Sequence, residues 1–359
     1  MINIAFFNSS KAWGGGEKWH LESAVHFSKR SDYQVHVFGA PNSELQKRLA
    51  AYPNIPYVDF AVSNRSFLNP IKIQRLRTLF TKRRIDILII NGSADMKLAA
   101  HAAHLAGIKR IIYRRGLAVD LRNNAVNRYI LKHYVTEIIA NSMETKHCIN
   151  RNNAKMFPEE KIKVIYNPID TRQFCAKNQA PRPARKELVI GNLGRLVPQK
   201  NQAFLIDLSR ELSQRSIPHK IHIGGIGALE EELQAYSQQC QTQNNVHFLG
   251  FVDNLSAFFA EIDVFLLSSK WEGFGYVLAE AALFHKPTIA FDVSSNAEII
   301  ADKQSGYLIP VDDVSACIAA LENLQDPQTR ENFGQAGYRL VCERFDSQVI
   351  YQQLETYLS

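Results

Sequence analysis

The sequence predicts an α/β chain built as two doubly wound, Rossmann-like parallel-sheet domains. Three observations carry this. Short apolar, β-prone runs alternate with helix-length segments along the whole chain. The alternation forms two series, separated near residue 170 by Asn167-Pro168-Ile169-Asp170 and by the polar, proline-rich stretch Gln179-Ala180-Pro181-Arg182-Pro183-Ala184-Arg185, which reads as a linker. The chain of 359 residues also exceeds what one ordinary hydrophobic core holds.

The strands of the first series (residues 1–170) are expected at Ile2–Phe7, Tyr33–Phe38, Tyr57–Phe60, Ile85–Ile90, Arg110–Tyr113, Glu137–Ala140 and Lys163–Tyr166. Those of the second (171–344) are expected at Leu188–Leu193, Lys220–Ile223, Val246–Leu249, Val264–Leu267, Pro287–Phe291 and Tyr307–Ile309. Between them, Phe67–Arg84 reads as a basic amphipathic helix with Leu68, Ile71, Leu76, Leu79 and Phe80 on one side. Such a helix either lies on an anionic bilayer or simply turns its apolar face to the core.

Hydrophobic residues make up 46% and charged residues 21%, the balance of a soluble globular protein. No apolar run is long enough for a transmembrane helix, and Met1–Phe7 enters a strand directly without a leader pattern. The five cysteines are scattered and lack Cys-x-x-Cys spacing, which fits reduced thiols in a cytosol and neither a disulfide framework nor a zinc site. The net charge of +7 is unevenly spread: residues 1–170 hold 26 Lys and Arg against 13 Asp and Glu, and the remainder hold 16 against 22. That split is not the mark of a nucleic-acid binder. It implies either that the first half faces an anionic partner, a membrane surface or a phosphorylated acceptor, or that it is a solvated surface.

In doubly wound sheets ligands bind in the loops after strands. After Val264–Leu267 comes Trp271-Glu272-Gly273-Phe274-Gly275-Tyr276 and a helix carrying Glu280. A glycine turn at a helix N-terminus offers free N–H groups to an anion, and Glu272 and Glu280 flank it. This suits a ligand with a diphosphate between two hydroxyl-bearing ends, as in a nucleotide-sugar; a helix cap plus a solvated carboxylate is the plain alternative. Gly194 and Arg195, with Lys200, follow another strand, well placed to neutralise a diphosphate. Gly225 lies in a second glycine turn, and Phe251 follows a further strand where a planar base could rest. In the first series, Gly14-Gly15-Gly16-Glu17 follows the first strand, with glycines expected to allow close approach and positive φ before a helix begins at Glu17. Asn91 follows the fourth strand. Arg114 and Arg115 follow the fifth and could pair with a phosphate or form surface salt bridges.

Taken together, Gly14–Glu17, Asn167–Asp170, Gly194-Arg195 with Lys200, Glu272-x7-Glu280, Asn296-Ala297-Glu298 and Gly306-Tyr307-Leu308-Ile309-Pro310 resemble, in order, the motifs of the family-4 retaining glycosyltransferases of GT-B fold. The first half is similar to bacterial members that build lipopolysaccharide or other surface polysaccharides. The resemblance implies two domains facing each other across a cleft and a C-terminal helix (Ser347–Leu358, within 345–359) packing back on the first. It implies a nucleotide-sugar donor, a glycan or lipid-linked acceptor and transfer with retention; no Asp-x-Asp pair stands in a suitable loop, so no metal and no cofactor are expected to be required. Arg195, Lys200 and Glu272 would be catalytic. Gly15, Gly16, Gly194, Gly225, Phe251, Gly273, Phe274, Gly275, Tyr276, Glu280, Asn296 and Glu298 would bind donor. Gly14, Glu17, Asn91, Arg114 and Arg115 would lie on the acceptor side. The chain departs from the pattern at His285, where a glycine is usual and a left-handed backbone is expected, and at Ser294-Ser295, where the family has Gly-Gly. An epimerase, a phosphorylase or a non-enzymatic nucleotide-sugar binder remain alternatives.

Overall fold

The computed structural model describes residues 1–172 and 187–359, so the expected linker Gln179–Arg185 lies outside the described residues. The chain divides into one unit of Met1–Pro168 with Ile350–Ser359 and a second of Ile169–Val349.

The first unit holds a seven-stranded sheet: β1 (Ile2–Asn8), β2 (Tyr33–Gly39), β3 (Tyr57–Asp59), β4 (Ile87–Asn91), β5 (Arg110–Arg115), β6 (Glu137–Ala140) and β7 (Ile162–Val164). All pairings are parallel, in the order β3-β2-β1-β4-β5-β6-β7. The continuous apolar runs follow from burial on both faces. Ile4, Phe6, Ile87 and Ile89 join a cluster with Trp19, Phe27, Ile350 and Leu354. Their neighbours Ala5, Phe7, Leu88 and Ile90 join another with Phe38, Leu76 and Phe80. That period-two split is the pleat of the strand. The C-terminal helix Ser347–Leu358 ends against this unit: Arg110 donates to the carbonyls of Tyr357 (2.7 Å) and Leu358 (2.9 Å) while pairing with Glu137. A cation at a helix C-terminus satisfies its orphan carbonyls.

The second unit holds a six-stranded parallel sheet: β8 (Leu188–Leu193), β9 (His219–Gly224), β10 (Val246–Phe248), β11 (Val264–Leu267), β12 (Thr288–Phe291) and β13 (Gly306–Ile309), in the order β10-β9-β8-β11-β12-β13. In each sheet the winding reverses once, between β1 and β4 and between β8 and β11. Those two points are where the carboxyl-end loops diverge and leave a crevice for ligand.

Three local expectations are corrected. The basic segment is a helix only over Pro70–Lys82, capped by the Asn69 side chain; Ile73, Leu76 and Phe80 are its buried residues. Leu68 precedes the helix, and Ile71 points about 200° away from Ile73 at 100° per residue, so both are exposed, at 68% and 78%. The glycine triplet is not a loop of positive φ: Gly14 is extended and a helix starts at Gly15. Arg114 and Arg115 close β5 itself and do not follow it.

His285 takes φ +54 and stacks on Tyr338 at 4.4 Å. Its carbonyl lies where a Cβ on Gly334 would come within 2.1 Å. Gly334, in the helix Pro327–Phe345, is therefore required by backbone approach. Gly334→Ala is expected to lower stability by roughly 1–3 kcal/mol, as overpacking does, seen as an earlier calorimetric transition; an unchanged transition would contradict the close approach.

Candidate active site

The carboxyl edge of the second sheet forms a continuous rim in strand order. After β10, the Gly250 carbonyl accepts from Gly225 N–H at 2.7 Å, and Gly250 itself sits at φ +65. After β9, Gly225 takes φ +141, and a Cβ there would meet the Gly194 carbonyl at 1.9 Å. Glycine is thus obligatory where the β9 turn passes the β8 turn. Gly194 N–H donates to the Gly224 carbonyl at 3.0 Å. Exposed Phe251 stands beside this chain of turns.

The β8 and β11 turns are bonded to each other. Lys270 N–H donates to the Gln199 carbonyl (2.9 Å), the Gln199 side-chain amide to the Trp271 carbonyl (2.8 Å), and Ser268 Oγ to the Lys200 carbonyl (2.9 Å). The result is that Lys200 Nζ meets Glu272 Oε1 at 2.5 Å, with both side chains largely shielded from solvent. Arg195 is exposed on the same turn, its carbonyl accepting from the Gln202 side chain at 3.1 Å. Gly275 then takes the left-handed conformation (φ +76) as N-cap of the helix Tyr276–Leu283, with no side-chain cap. Its leading N–H groups and its dipole therefore face the rim, the arrangement that holds an anion. The Phe274 ring turns inward and packs edge-on against Tyr276 and Phe345.

The carboxyl edge of the first sheet carries a polar cluster. Asn8, the last residue of β1, donates to Glu17 Oε1 at 3.2 Å. Ser9 binds Asp95 through its N–H (2.9 Å) and its hydroxyl. Arg114, 2% exposed, donates to Asn167 Oδ1 (2.7 Å) and Asn91 Oδ1 (3.4 Å), and its guanidinium lies over the Trp19 ring at 5.0 Å. A Cβ on Gly16 would come within 2.8 Å of Asn91 Nδ2, so the glycine serves helix–turn approach. Burial, reinforced by Arg114, lowers the pKa of His20 to about 3 and keeps it neutral; its Nδ1 bonds the Gly16 carbonyl at 3.0 Å. Among the described residues no group of three His, Cys, Asp or Glu side chains is spaced for a metal ion.

Known families match both units. The model described as glycosyltransferase family 4 matches residues 13–173, and that described as glycosyl transferases group 1 matches 173–340. The chain belongs to the family-4 glycosyltransferases. It is 28% identical over 357 residues to the capsular polysaccharide biosynthesis glycosyltransferase CapM of Staphylococcus aureus, covering 94% of this chain and 92% of that one. It is 25% identical to an Escherichia coli UDP-Gal:α-D-GlcNAc-diphosphoundecaprenol α-1,3-galactosyltransferase, covering 75% and 74%. Among solved structures, Anabaena HepE in complex with UDP superposes with a TM-score of 0.84 at 20% identity, over 99% of each chain. The shared architecture is the GT-B pair of Rossmann-like domains.

In this glycosyltransferase the site residues expected from sequence fall into two sets. Gly194, Arg195, Lys200, Gly225, Phe251, Glu272, Gly273, Phe274, Gly275, Tyr276 and Glu280 line the β10-to-β11 rim. Asn296 and Glu298 follow β12; the Asn296 side chain is fully buried, donating to the Phe291 carbonyl at 2.9 Å, so it positions the turn. Gly14, Gly15, Gly16, Glu17, Asn91 and Arg114 gather at the β1/β4/β5 ends. Arg115 does not reach that cluster: its Nη2 donates to the Val119 carbonyl. Arg114 is a buried brace of this cluster and no open phosphate clamp. Sequence reading placed Asn8, Ser9 and Asp95 in strand-end loops without a role and did not single out His20. The available signal was that β1 and β4 end in asparagine and β5 in arginine, polar residues that the strand order makes neighbours.

Burial raises the Asp95 carboxyl from 3.8 to about 7, with the Ser9 bonds opposing the rise and Glu17 adding to it. The folded chain keeps this proton where the unfolded chain has lost it. The resulting stabilisation is full below 3.8 and is lost as pH rises through about 7. The stability difference between wild type and Asp95→Asn should therefore fall as pH rises across that window, at up to about 1.4 kcal/mol per pH unit. Melting curves at matched pH values test this, since His20 is common to both proteins; a pH-independent difference would contradict it.

Proposed function

We propose that this glycosyltransferase moves a sugar from a nucleoside-diphosphate sugar to a glycan or lipid-linked acceptor in surface-polysaccharide or lipopolysaccharide assembly, with retention at the anomeric carbon and without a metal ion. The observation that carries the donor assignment is the Lys200–Glu272 contact beside exposed Arg195 and the uncapped Gly275 helix start. An incoming diphosphate competes with Glu272 for the Lys200 ammonium. Once Lys200 turns to phosphate, Glu272 Oε1 is released to accept from a hydroxyl of the transferred sugar. Glu280, one helical turn further on, takes the ribose hydroxyls, and Phe251 offers a face to the base. The relatives support this reading: HepE was solved with UDP-glucose, and the E. coli relative is named for UDP-galactose and a diphosphoundecaprenol acceptor.

The chemistry is a front-face substitution. The anomeric carbon–phosphate oxygen bond breaks, the acceptor oxygen bonds the same face, and the acceptor proton passes to the departing phosphate oxygen. Charge growing on the diphosphate meets Arg195, Lys200 and the helix N-terminus, placed cations and dipoles that lower the barrier without reorganisation. The first unit, with its surplus of Lys and Arg, binds the acceptor. Exposed Leu68 and Ile71 beside Lys72 and Arg75 suit peripheral attachment to the cytoplasmic face of an anionic membrane. No helix among the described residues is long and apolar enough to cross one.

Three results are expected. Arg195→Ala should lower kcat at least ~100-fold in a labelled-sugar transfer assay with no change in melting temperature, because the side chain is exposed; full activity would overturn the donor assignment. Excess chelator should leave transfer intact, and a loss restored by Mg²⁺ would refute metal independence. Leu68→Ser with Ile71→Ser should reduce co-sedimentation with phosphatidylglycerol vesicles, and undiminished sedimentation would remove that face from the membrane contact.

A further inference from the structure

The other edge of the first sheet, where strands begin, carries a depression of about 590 Å³. The helix Ala125–His133 leads through Tyr134–Thr136 into the start of β6, and the segment 155–161 leads into the start of adjacent β7. The two stretches enclose the depression between them, away from the carboxyl ends that carry the Asn8–Arg114 cluster. Buried Leu131, Met156 and Phe157 form its apolar floor. Its wall is cationic: Arg128, Lys132, Lys155 and Lys161, with His133. Tyr129, 55% exposed, stands over it with its ring 4.5 Å from that of His133.

No carboxylate is among the lining residues, and those on the surrounding segments are mostly engaged elsewhere. Glu137 pairs with Arg110 at 2.9 Å, Glu144 with Arg151 at 2.5 Å, and Glu159 with Lys146 at 3.5 Å. Glu160 is the one that remains close by, exposed on the turn before Lys161. Arg128 bonds only a neutral partner, Asn123 Oδ1, at 2.8 Å. Among the described residues, none of the four wall cations has a carboxylate in ion-pair contact within the unit; Lys161 feels only the longer-range charge of Glu137, which is already paired with Arg110. Lys132 and His133 lie in the last helical turn, where the helix dipole favours a cation. That accounts for Lys132 and leaves Arg128, Lys155 and Lys161, on other turns and another segment, converging on the same space.

Cations held together with no carboxylate in contact repel one another, and an anion in their midst removes the repulsion. We propose that this depression is a second anion site, separate from the donor and acceptor rims. It takes a phosphate or diphosphate attached to a ring or short apolar body. The phosphate oxygens accept from Arg128, Lys132, Lys155 and Lys161, and Tyr129 covers the attached body. The volume admits a ligand of disaccharide or lipid-headgroup size. The same chemistry is offered by a phosphorylated lipid headgroup in a bilayer and by a soluble phosphorylated sugar.

The test is residue-resolved lysine footprinting of the full chain. Acetylation rates are read by mass spectrometry with inorganic pyrophosphate, and separately with phosphatidylglycerol or phosphatidylcholine vesicles. Exposed Lys109 and Lys303 serve as references. Pyrophosphate should slow acetylation of Lys132, Lys155 and Lys161 at least ~threefold more than the references, with the effect fading as salt rises. Protection by phosphatidylglycerol vesicles as well, reversed by pyrophosphate, identifies a headgroup as the source; protection by pyrophosphate alone identifies a soluble phosphate. Arg128→Gln, at an exposed position, should weaken the protection. Equal slowing of pocket and reference lysines, or none, would overturn the proposal.

Discussion

Lys200 and Glu272 meet at 2.5 Å across two turns that leave adjacent strands in opposite winding directions. The contact depends on the sheet. Only because the winding reverses after β10 does β11 pair with β8, and only that pairing brings the two turns alongside. Three further hydrogen bonds, from Lys270, Gln199 and Ser268, then fix their register. A nearly buried ion pair is a poor source of net stability, and removing one partner typically costs about 3–5 kcal/mol because the other charge is left uncompensated. Its value is positional. It holds a cation and a carboxylate together at the strand ends, the arrangement on which the proposed donor site rests.

The cluster in the first unit answers a different constraint. Arg114 is among the largest fully buried side chains, and a guanidinium in that position needs acceptors. It finds amide oxygens on Asn91 and Asn167 and the face of Trp19, so the ends of β4 and β5 and the segment after β7 are held by one charge. Burial, with Arg114 adding to it, keeps the neighbouring His20 neutral, and burial lets Asp95 hold its proton until near neutrality. The turn after β1 is thus fastened by Asp95 against Ser9, and Asn91 packs close against Gly16 at the start of the helix that follows. The positive surplus of this unit is largely on its surface, with Arg114 and Arg115 buried.

The strands were legible because burial on both faces demands unbroken apolar runs; Glu137–Ala140, Leu188–Leu193 and Val264–Leu267 match residue for residue. The rim at the carboxyl edge of the second sheet was legible because glycines there have no substitute. Gly225 lies against the Gly194 carbonyl, and Gly275 needs a left-handed backbone. The His285 departure was also legible, since a positive φ is a local demand. What a single sequence concealed was contact between distant segments. Nothing local distinguishes a buried Arg114 from an open phosphate clamp, because the difference lies in Trp19 and Asn167. The glycine triplet misled for the same reason: Gly14 and Gly16 answer crowding by Glu17 and Asn91, and no unusual φ. The helix at Pro70–Lys82 mixed two apolar faces in sequence, and only the packing of Ile73, Leu76 and Phe80 separates the one that is core.

If Lys200 and Glu272 divide the donor between them, phosphate to one and sugar to the other, the division is measurable by calorimetric titration. UDP and its sugar conjugates would be titrated into wild type and Glu272→Gln, a near-isosteric change that keeps the fold of the turn. The account predicts that Glu272→Gln binds UDP at least as tightly as wild type, since the phosphate no longer competes with a carboxylate for Lys200, and weakens the nucleotide-sugar relative to UDP at least ~tenfold, about 1.4 kcal/mol. An equal loss for both ligands, or no loss for the sugar conjugate, would contradict it.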